Sequence, residues 1–303
     1  MQRSSPSPFV WGILICLAGA ICFSTKAILV KLSYRDTGID AVPLLALRML
    51  FSLPFFIASA WVSSARAGNV KFTGRQWAYI AAIGCLGYYI SSLLDFLGLQ
   101  YVTAAIERLI LFIYPTLVLL MNALVFRTRI KLVQWLAVGI TYAGLALAFV
   151  SEAQMDSVSS DFWWGAFLIF LCSFTYAIYI VGSGRLIPVI GATKFNSYAM
   201  SFACAGVLLH FWIKDGSSLL SFSSTVYVYS FSMAVLSTVI PSYLVSQGIK
   251  RIGSDNAAIV GSVGPVSTIL LAYFFLQESI SVLQLSGTVL VLTGVLLISR
   301  EKK

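Results

Sequence analysis

Five charged side chains in this 303-residue chain sit where their neighbours are apolar: Lys26, Arg48, Asp95, Glu107 and Arg108. Glu107 and Arg108 are adjacent in "AAIERLILFIYP" (104–115), and Asp95 closes a set with Tyr88, Ser91 and Ser92 at helical spacing, which makes one polar stripe. Opposite charges in such surroundings can lock helices together, exchange a proton or hold a charged small molecule. A charge at mid-membrane costs ~2.5–3.5 kcal/mol on insertion scales, so each must be paired or must face water. Two readings stay open for Asp95, Glu107 and Arg108: an ion pair that staples two helices, and an outer gate or substrate contact. Lys26 and Arg48 can reach the outer headgroups by snorkelling or face a cavity. In a cavity the cations outnumber the acids three to two, which favours a substrate with a carboxylate.

Other chemistries lack their residues. Cys16, Cys22, Cys85, Cys172 and Cys204 all lie inside apolar runs, none forms a Cys-x-x-Cys pair, and His210 is the sole histidine. No zinc site, disulfide framework or cofactor is expected. His210 reads as a satisfied or lipid-facing histidine. There is no phosphate-cradling glycine loop with lysine and no nucleophile with a histidine partner, so no enzyme is expected.

The elements that must position the charges follow from composition. The chain is 59% hydrophobic and 10% charged, with a mean hydropathy of +0.92. A soluble domain carries roughly 25% charged residues. Continuous apolar runs of about 20 residues point to helices rather than barrel strands. We predict an all-α polytopic membrane protein with ten spans, at 9–32, 42–63, 76–99, 103–126, 131–151, 162–183, 195–213, 224–247, 255–276 and 281–299. The first run continues past Lys26 and has a counterpart later in the chain, so it reads as a span rather than a cleaved signal. Between spans, 14 Lys and Arg fall on one side and 3 on the other. That places both termini in the cytoplasm. The net charge of +9 is spread over these loops, so no nucleic acid partner is expected.

An internal repeat underlies the ten spans. A shift of 150 residues aligns Gly98 with Gly248, Pro115 with Pro265, Gln134 with Gln284 and Gly144 with Gly294. Slightly different shifts align Phe9, Trp11 and Gly12 with Phe162, Trp164 and Gly165, and Met49, Phe51 and Trp61 with Met200, Phe202 and Trp212. Residues 1–152 and 153–303 are thus expected to be two five-helix repeats. Five is odd, so the second repeat is inverted, a device of secondary transporters. At the shift of 150, Asp95, Glu107 and Arg108 meet Val245, Ala257 and Ala258. The scaffold does not need the charges, and their presence in one half looks like specificity.

The stretch "VGPVSTILLAYFFLQESISVLQLSGTVLVLTGVLLIS" (263–299) combines a mid-helix proline, Glu278 at the helix end and a glycine-rich final span. With the five-plus-five inverted repeat, the chain resembles the drug/metabolite transporter superfamily in its EamA-type branch. The first-half counterpart at 113–149 departs from the pattern, with Thr128 where Glu278 has its acid. The resemblance implies a central cavity walled chiefly by spans 3, 4, 8 and 9, with 1 and 6 contributing, and transport by alternating access, often efflux and sometimes coupled to protons.

Within that frame Arg108 and Lys26 are expected to hold a carboxylate, and Glu107 or Asp95 an amine or a coupling proton. Arg108 paired with Asp95 while Glu107 faces the cavity is one arrangement, and the reverse is another. Tyr88, Ser92 and Tyr114 join them on the first-half wall. Ser242 and Gln247, with Tyr176 and Tyr179, are expected to form the second-half wall or to serve as interhelical glue. Pro115 and Pro265 each free a carbonyl four residues earlier, and with Gly264 in "GSVGP" (261–265) they read as paired hinges. The expected substrate is an amino acid or related zwitterion, exported across a bacterial inner membrane. The expected partners are that solute, the lipid bilayer and protons. A monomer suffices, since one chain holds both repeats, and a dimer is not required. Multidrug efflux, favoured by 21 Phe, 14 Tyr and 7 Trp, and a non-transporting scaffold or sensor are the competing readings.

Overall fold

Backbone in lipid must close its hydrogen bonds internally, and this chain does so within helices. The computed structural model describes residues 8–65, 71–127, 130, 132–153, 160–214, 216, 218–278 and 280–300. Among these there is no strand. The helices are α1 (Pro8–Thr37), α2 (Ala41–Ser64), α3 (Gly74–Gly84), α4 (Ser91–Gly98), α5 (Ala104–Leu111), α6 (Tyr114–Phe126), α7 (Leu132–Ala153), α8 (Ser160–Ile190), α9 (Ala192–Lys214), α10 (Ser224–Ala234), α11 (Ile240–Val260), α12 (Gly264–Leu271) and α13 (Val282–Arg300). Among the described residues, six helical runs are long and apolar enough to cross a membrane: Phe9–Thr37, Ala41–Ser64, Gly74–Gly98, Ala104–Val125, Asp161–Ile190 and Ser224–Ala258. Shorter apolar helices accompany them.

Several rods are interrupted, and the interruptions are matched. A π-helical turn, Cys85–Ile90, joins α3 to α4, and another, Val235–Val239, joins α10 to α11. These turns sit at equivalent positions under the shift of 150. Proline opens the second segment in both halves: Pro115 lies in the first turn of α6 and Pro265 in the first turn of α12. Each follows a break, at Phe112–Ile113 in one case and in the 3₁₀ turn Gly261–Val263 in the other. That is where a residue lacking an N–H weakens the helix. Ser224–Ala258 also turns sharply at Gly253, whose φ of +78° suits glycine.

The packing is paired in the same way. α1 lies along α11 and α8 along α4, while α2 packs on α9 and α7 on α13. A β-carbon at Gly98 would stand 3.1 Å from the carbonyl of Gly165, and one at Gly248 would stand 3.6 Å from that of Gly12. The first distance is too tight for a side chain, and at Gly248 the Cys16 thiol fills the space a β-carbon would take, so both crossings favour glycine. The outer surface is apolar, with Trp61 and Trp212 exposed at 77% and 73% near equivalent helix ends. Such a belt suits a membrane interface. The polar side chains collect inside, the reverse of a water-soluble bundle.

Candidate functional site

The site begins at the turn between α4 and α5. Gly98 lets α4 close on α8, and the chain reverses through residues 99–103. Thr103 caps α5, its hydroxyl accepting from the Ile106 N–H at 3.2 Å. Glu278 caps the same end from across the bundle, accepting from the N–H groups of Ala104 (3.2 Å) and Ala105 (3.4 Å). A carboxylate suits a helix N-terminus, where the unpaired N–H groups carry positive charge. Thr128, its first-half counterpart, lies outside the described residues. The double cap fixes the rotation of α5, every residue of which is buried.

Lys26 on α1 is the hub. Its Nζ lies 2.7 Å from Asp95 Oδ2 and 3.2 Å from Glu107 Oε1. Glu107 is fully buried and its other oxygen lies 3.6 Å from Arg108 Nε. Arg108 Nη2 also donates to the Phe23 carbonyl at 3.1 Å. One ammonium thus joins α1 to α4 and α5. This differs from both arrangements expected from the sequence: Asp95 takes Lys26 rather than Arg108, and Glu107 sits between the two cations. The reason is α1, whose orientation hydropathy does not encode.

Arg48 is buried as well. Its Nε donates to Thr238 Oγ1 at 2.6 Å, and its guanidinium carbon lies 5.3 Å from the centre of the Phe96 ring. Lys26 and Arg48 are both buried with partners on other helices, which speaks against the snorkelling reading.

These groups border a cavity of about 850 Å³, its open mouth included. Lys26, Arg48, Asp95 and Arg108 line it, as do Tyr88, Ser91 and Ser92 from the polar stripe. Glu107 does not. Phe23, Phe112, Tyr114 and Tyr176 supply an aromatic wall, with the ring centres of Tyr114 and Tyr176 5.2 Å apart. Gly264 and Pro265 border the cavity, while Pro115 stands behind Tyr114. The Tyr114 hydroxyl crosses to the Ala258 carbonyl at 3.1 Å, tying the two broken rods together. Tyr179 backs the wall, packed edge-on against Tyr88 with ring centres 4.9 Å apart.

Ser242 and Gln247 stand apart from the cavity. Asn196 donates to Ser242 at 3.1 Å and Gln247 donates to Thr193 at 2.9 Å, so both tie α11 to α9. The face of α11 that meets the cavity presents Val245 instead. His210 lies in hydrogen-bonding contact with the Tyr89 hydroxyl at 2.9 Å, away from the site. Cys172 was readable only as a small hydrophobe, yet it lines the cavity and its Sγ lies 3.2 Å from Ser91 Oγ and 3.9 Å from Asp95 Oδ1. The available signal was its spacing with Tyr176 and Ile180, which places all three on one face of α8.

An apolar exterior around a charged internal cavity, carried on six helical runs apolar enough to span a membrane among the described residues, defines a polytopic membrane protein. The model of the EamA-like transporter family matches the chain over residues 10–150 and again over 163–300, and the chain belongs to that family. It is 33% identical over 294 residues to the uncharacterized transporter YcbK of Bacillus subtilis, covering 93% of this chain and 92% of that one. It is 22% identical to the uncharacterized inner membrane transporter YicL of Salmonella typhimurium, covering 96% of each. A solved structure at 16% identity superposes with a TM-score of 0.72 over 98% of this chain and 97% of that one, which shows a shared fold. The family and these relatives make the chain a membrane transporter.

Proposed function

We propose that this transporter exports small metabolites, with amino acids and related zwitterions as the leading class, across a bacterial inner membrane by alternating access. The carrying observation is the cavity, which three cations and one acid line inside the helical bundle. The cation excess favours a solute with a carboxylate, and Asp95 is the acid placed to receive an ammonium group or a coupling proton. Ten spans in two inverted repeats, 1–152 and 153–303, with both termini cytoplasmic, suit this reading. It is supported by the two successive family matches, the matched π-turns and the matched glycine crossings. The inner-membrane placement draws on YicL. Pro115, Pro265 and Gly264 mark where the rods bend, and one chain suffices as the working unit.

The aromatic wall gives multidrug efflux its support, since rings attract organic cations. Three cations on the same cavity repel them. Flux into proteoliposomes, measured for amino acids, nucleotides and cationic dyes with and without a pH gradient, tests the proposal. Movement of dyes but not amino acids would favour efflux of drugs, and no flux of any solute would favour a scaffold.

A further inference from the structure

Arg48 is unlike the other cations of the cavity. Lys26 is held by two carboxylates, and Arg108 by Glu107 and the Phe23 carbonyl. Arg48 makes no ion pair among the described residues, and its Nη1 has no hydrogen-bond partner although the residue is only 1% exposed. Asp95, the carboxylate near enough to attract it, is already held by Lys26. A charge buried without a counterion is strongly unfavourable, so the structure leaves a place for an anion.

The guanidinium is held ready for one. It lies between the two π-turns. Thr238, from the second, donates its own proton to the Met233 carbonyl at 2.9 Å, which aims a lone pair at Arg48 Nε. Phe96 covers a face. Tyr88, from the first π-turn, brings a hydroxyl that meets no hydrogen-bond geometry among the described residues, in a side chain that is 3% exposed. A fixed guanidinium with an unoccupied N–H and a nearby hydroxyl suits a carboxylate, whose two oxygens can accept from both.

We propose that Arg48 and Tyr88 seat the carboxylate of the transported solute. This rests on the metabolite-export reading and names the residues that read the acid group. The solute it predicts is a small monocarboxylate with an apolar body. The carboxylate lies at Arg48, the body lies along Phe23, Phe112, Tyr114 and Tyr176, and an α-amino group, where there is one, turns toward Asp95 and Ser92. Arg108 and Lys26 then build the wall rather than grip the acid.

Three probes of one shape separate the groups: leucine, 4-methylpentanoate and 3-methylbutylamine. Binding to the purified full-length protein is read by tryptophan fluorescence and thermal stabilisation, with flux measured in parallel. Arg48→Met is expected to weaken both carboxylates at least about tenfold, the loss of a charge-assisted hydrogen bond, and to spare the amine. Arg48→Lys is expected to lose less, and Tyr88→Phe a few-fold, again for the carboxylates alone. If Arg48→Met fails to fold by size exclusion, the Lys and Phe variants decide. Carboxylate binding unchanged in the variants, or an equal loss for all three probes, would overturn the seat and leave metabolite export standing. Wild-type protein that binds neither carboxylate would overturn both.

Discussion

The ammonium of Lys26 lies 2.7 Å from Asp95, a residue on a different helix and 69 positions away in the chain, with both residues largely buried. Because Lys26 also holds Glu107, its removal strands Asp95 and leaves Glu107 to Arg108 alone. Lys26→Met is expected to destabilise the protein by about 3–5 kcal/mol, the range for breaking one side of a buried pair. Adding Asp95→Asn should restore part of the loss, since coupled sites are non-additive by about 0.5–3 kcal/mol. Thermal unfolding of the single and double variants in one detergent checks this. A double variant no more stable than Lys26→Met would mean that the pair is not coupled.

Proton coupling, where transport shows it, is expected to pass through Asp95. Lys26 and Arg108 neutralise Glu107 from two sides, whereas Asp95 faces the cavity with Lys26, among the described residues, alone within ion-pair distance. The titratable and charged groups that interact with Asp95 are Lys26 and Tyr34 from α1, Arg48 from α2, Glu107 from α5 and Cys172 from α8. Asp95→Asn should abolish the stimulation of flux by a pH gradient while exchange of labelled for unlabelled solute continues. Flux that is equally gradient-driven in the variant would place the coupling elsewhere.

Close helix crossings make a sharp contrast between glycines. A β-carbon at Gly84 would come within 2.8 Å of the Ala199 backbone carbon, which has no rotamer to yield. Gly84→Ala should lower stability by about 1–3 kcal/mol. Gly139, on α7, has open space around it, and Gly139→Ala should raise stability by up to ~1 kcal/mol through helix propensity. Melting temperatures moving in the same direction for both would contradict the packing described.

Cys16 and Cys172 both border the cavity. With Cys22, Cys85 and Cys204 replaced by alanine, a small thiol reagent such as methyl methanethiosulfonate should still modify the protein, and a transported solute should slow the reaction several-fold. Mass spectrometry of the two peptides measures it. Equal rates with and without solute would separate these thiols from the pathway.

Much of this was legible in the sequence because hydropathy, proline and glycine act locally. The apolar runs, the breaks before Pro115 and Pro265, and the stripe from Tyr88 to Asp95 all lie where residue type alone places them. What hid was rotation. A run such as α1 is apolar nearly all round, so nothing in it says that Lys26 points inward to Asp95 rather than outward to lipid headgroups. The π-turns hid for a related reason: a single added residue per turn leaves no mark in composition, yet it sets where Tyr88 and Thr238 meet Arg48. Ser242 and Gln247 show the converse, since polar residues on α11 suit a cavity wall and a helix contact equally well until α9 is placed beside them.

All five buried charges around the cavity belong to the first half of the chain, and Val245, Ala257 and Ala258 stand where the second half could have matched Asp95, Glu107 and Arg108. A carrier whose halves simply traded shapes would present the same cavity to either face of the membrane. If this transporter works by the alternating access proposed above, the trade is unequal, because the charges travel with one half only. The same solute would then half-saturate the protein at different concentrations from its two sides, with turnover rates skewed in compensation so that no work is extracted at equilibrium. Such a carrier is a rectifier under load: the gradients choose the direction of net flow, and the lopsided charge decides on which side the cavity fills first.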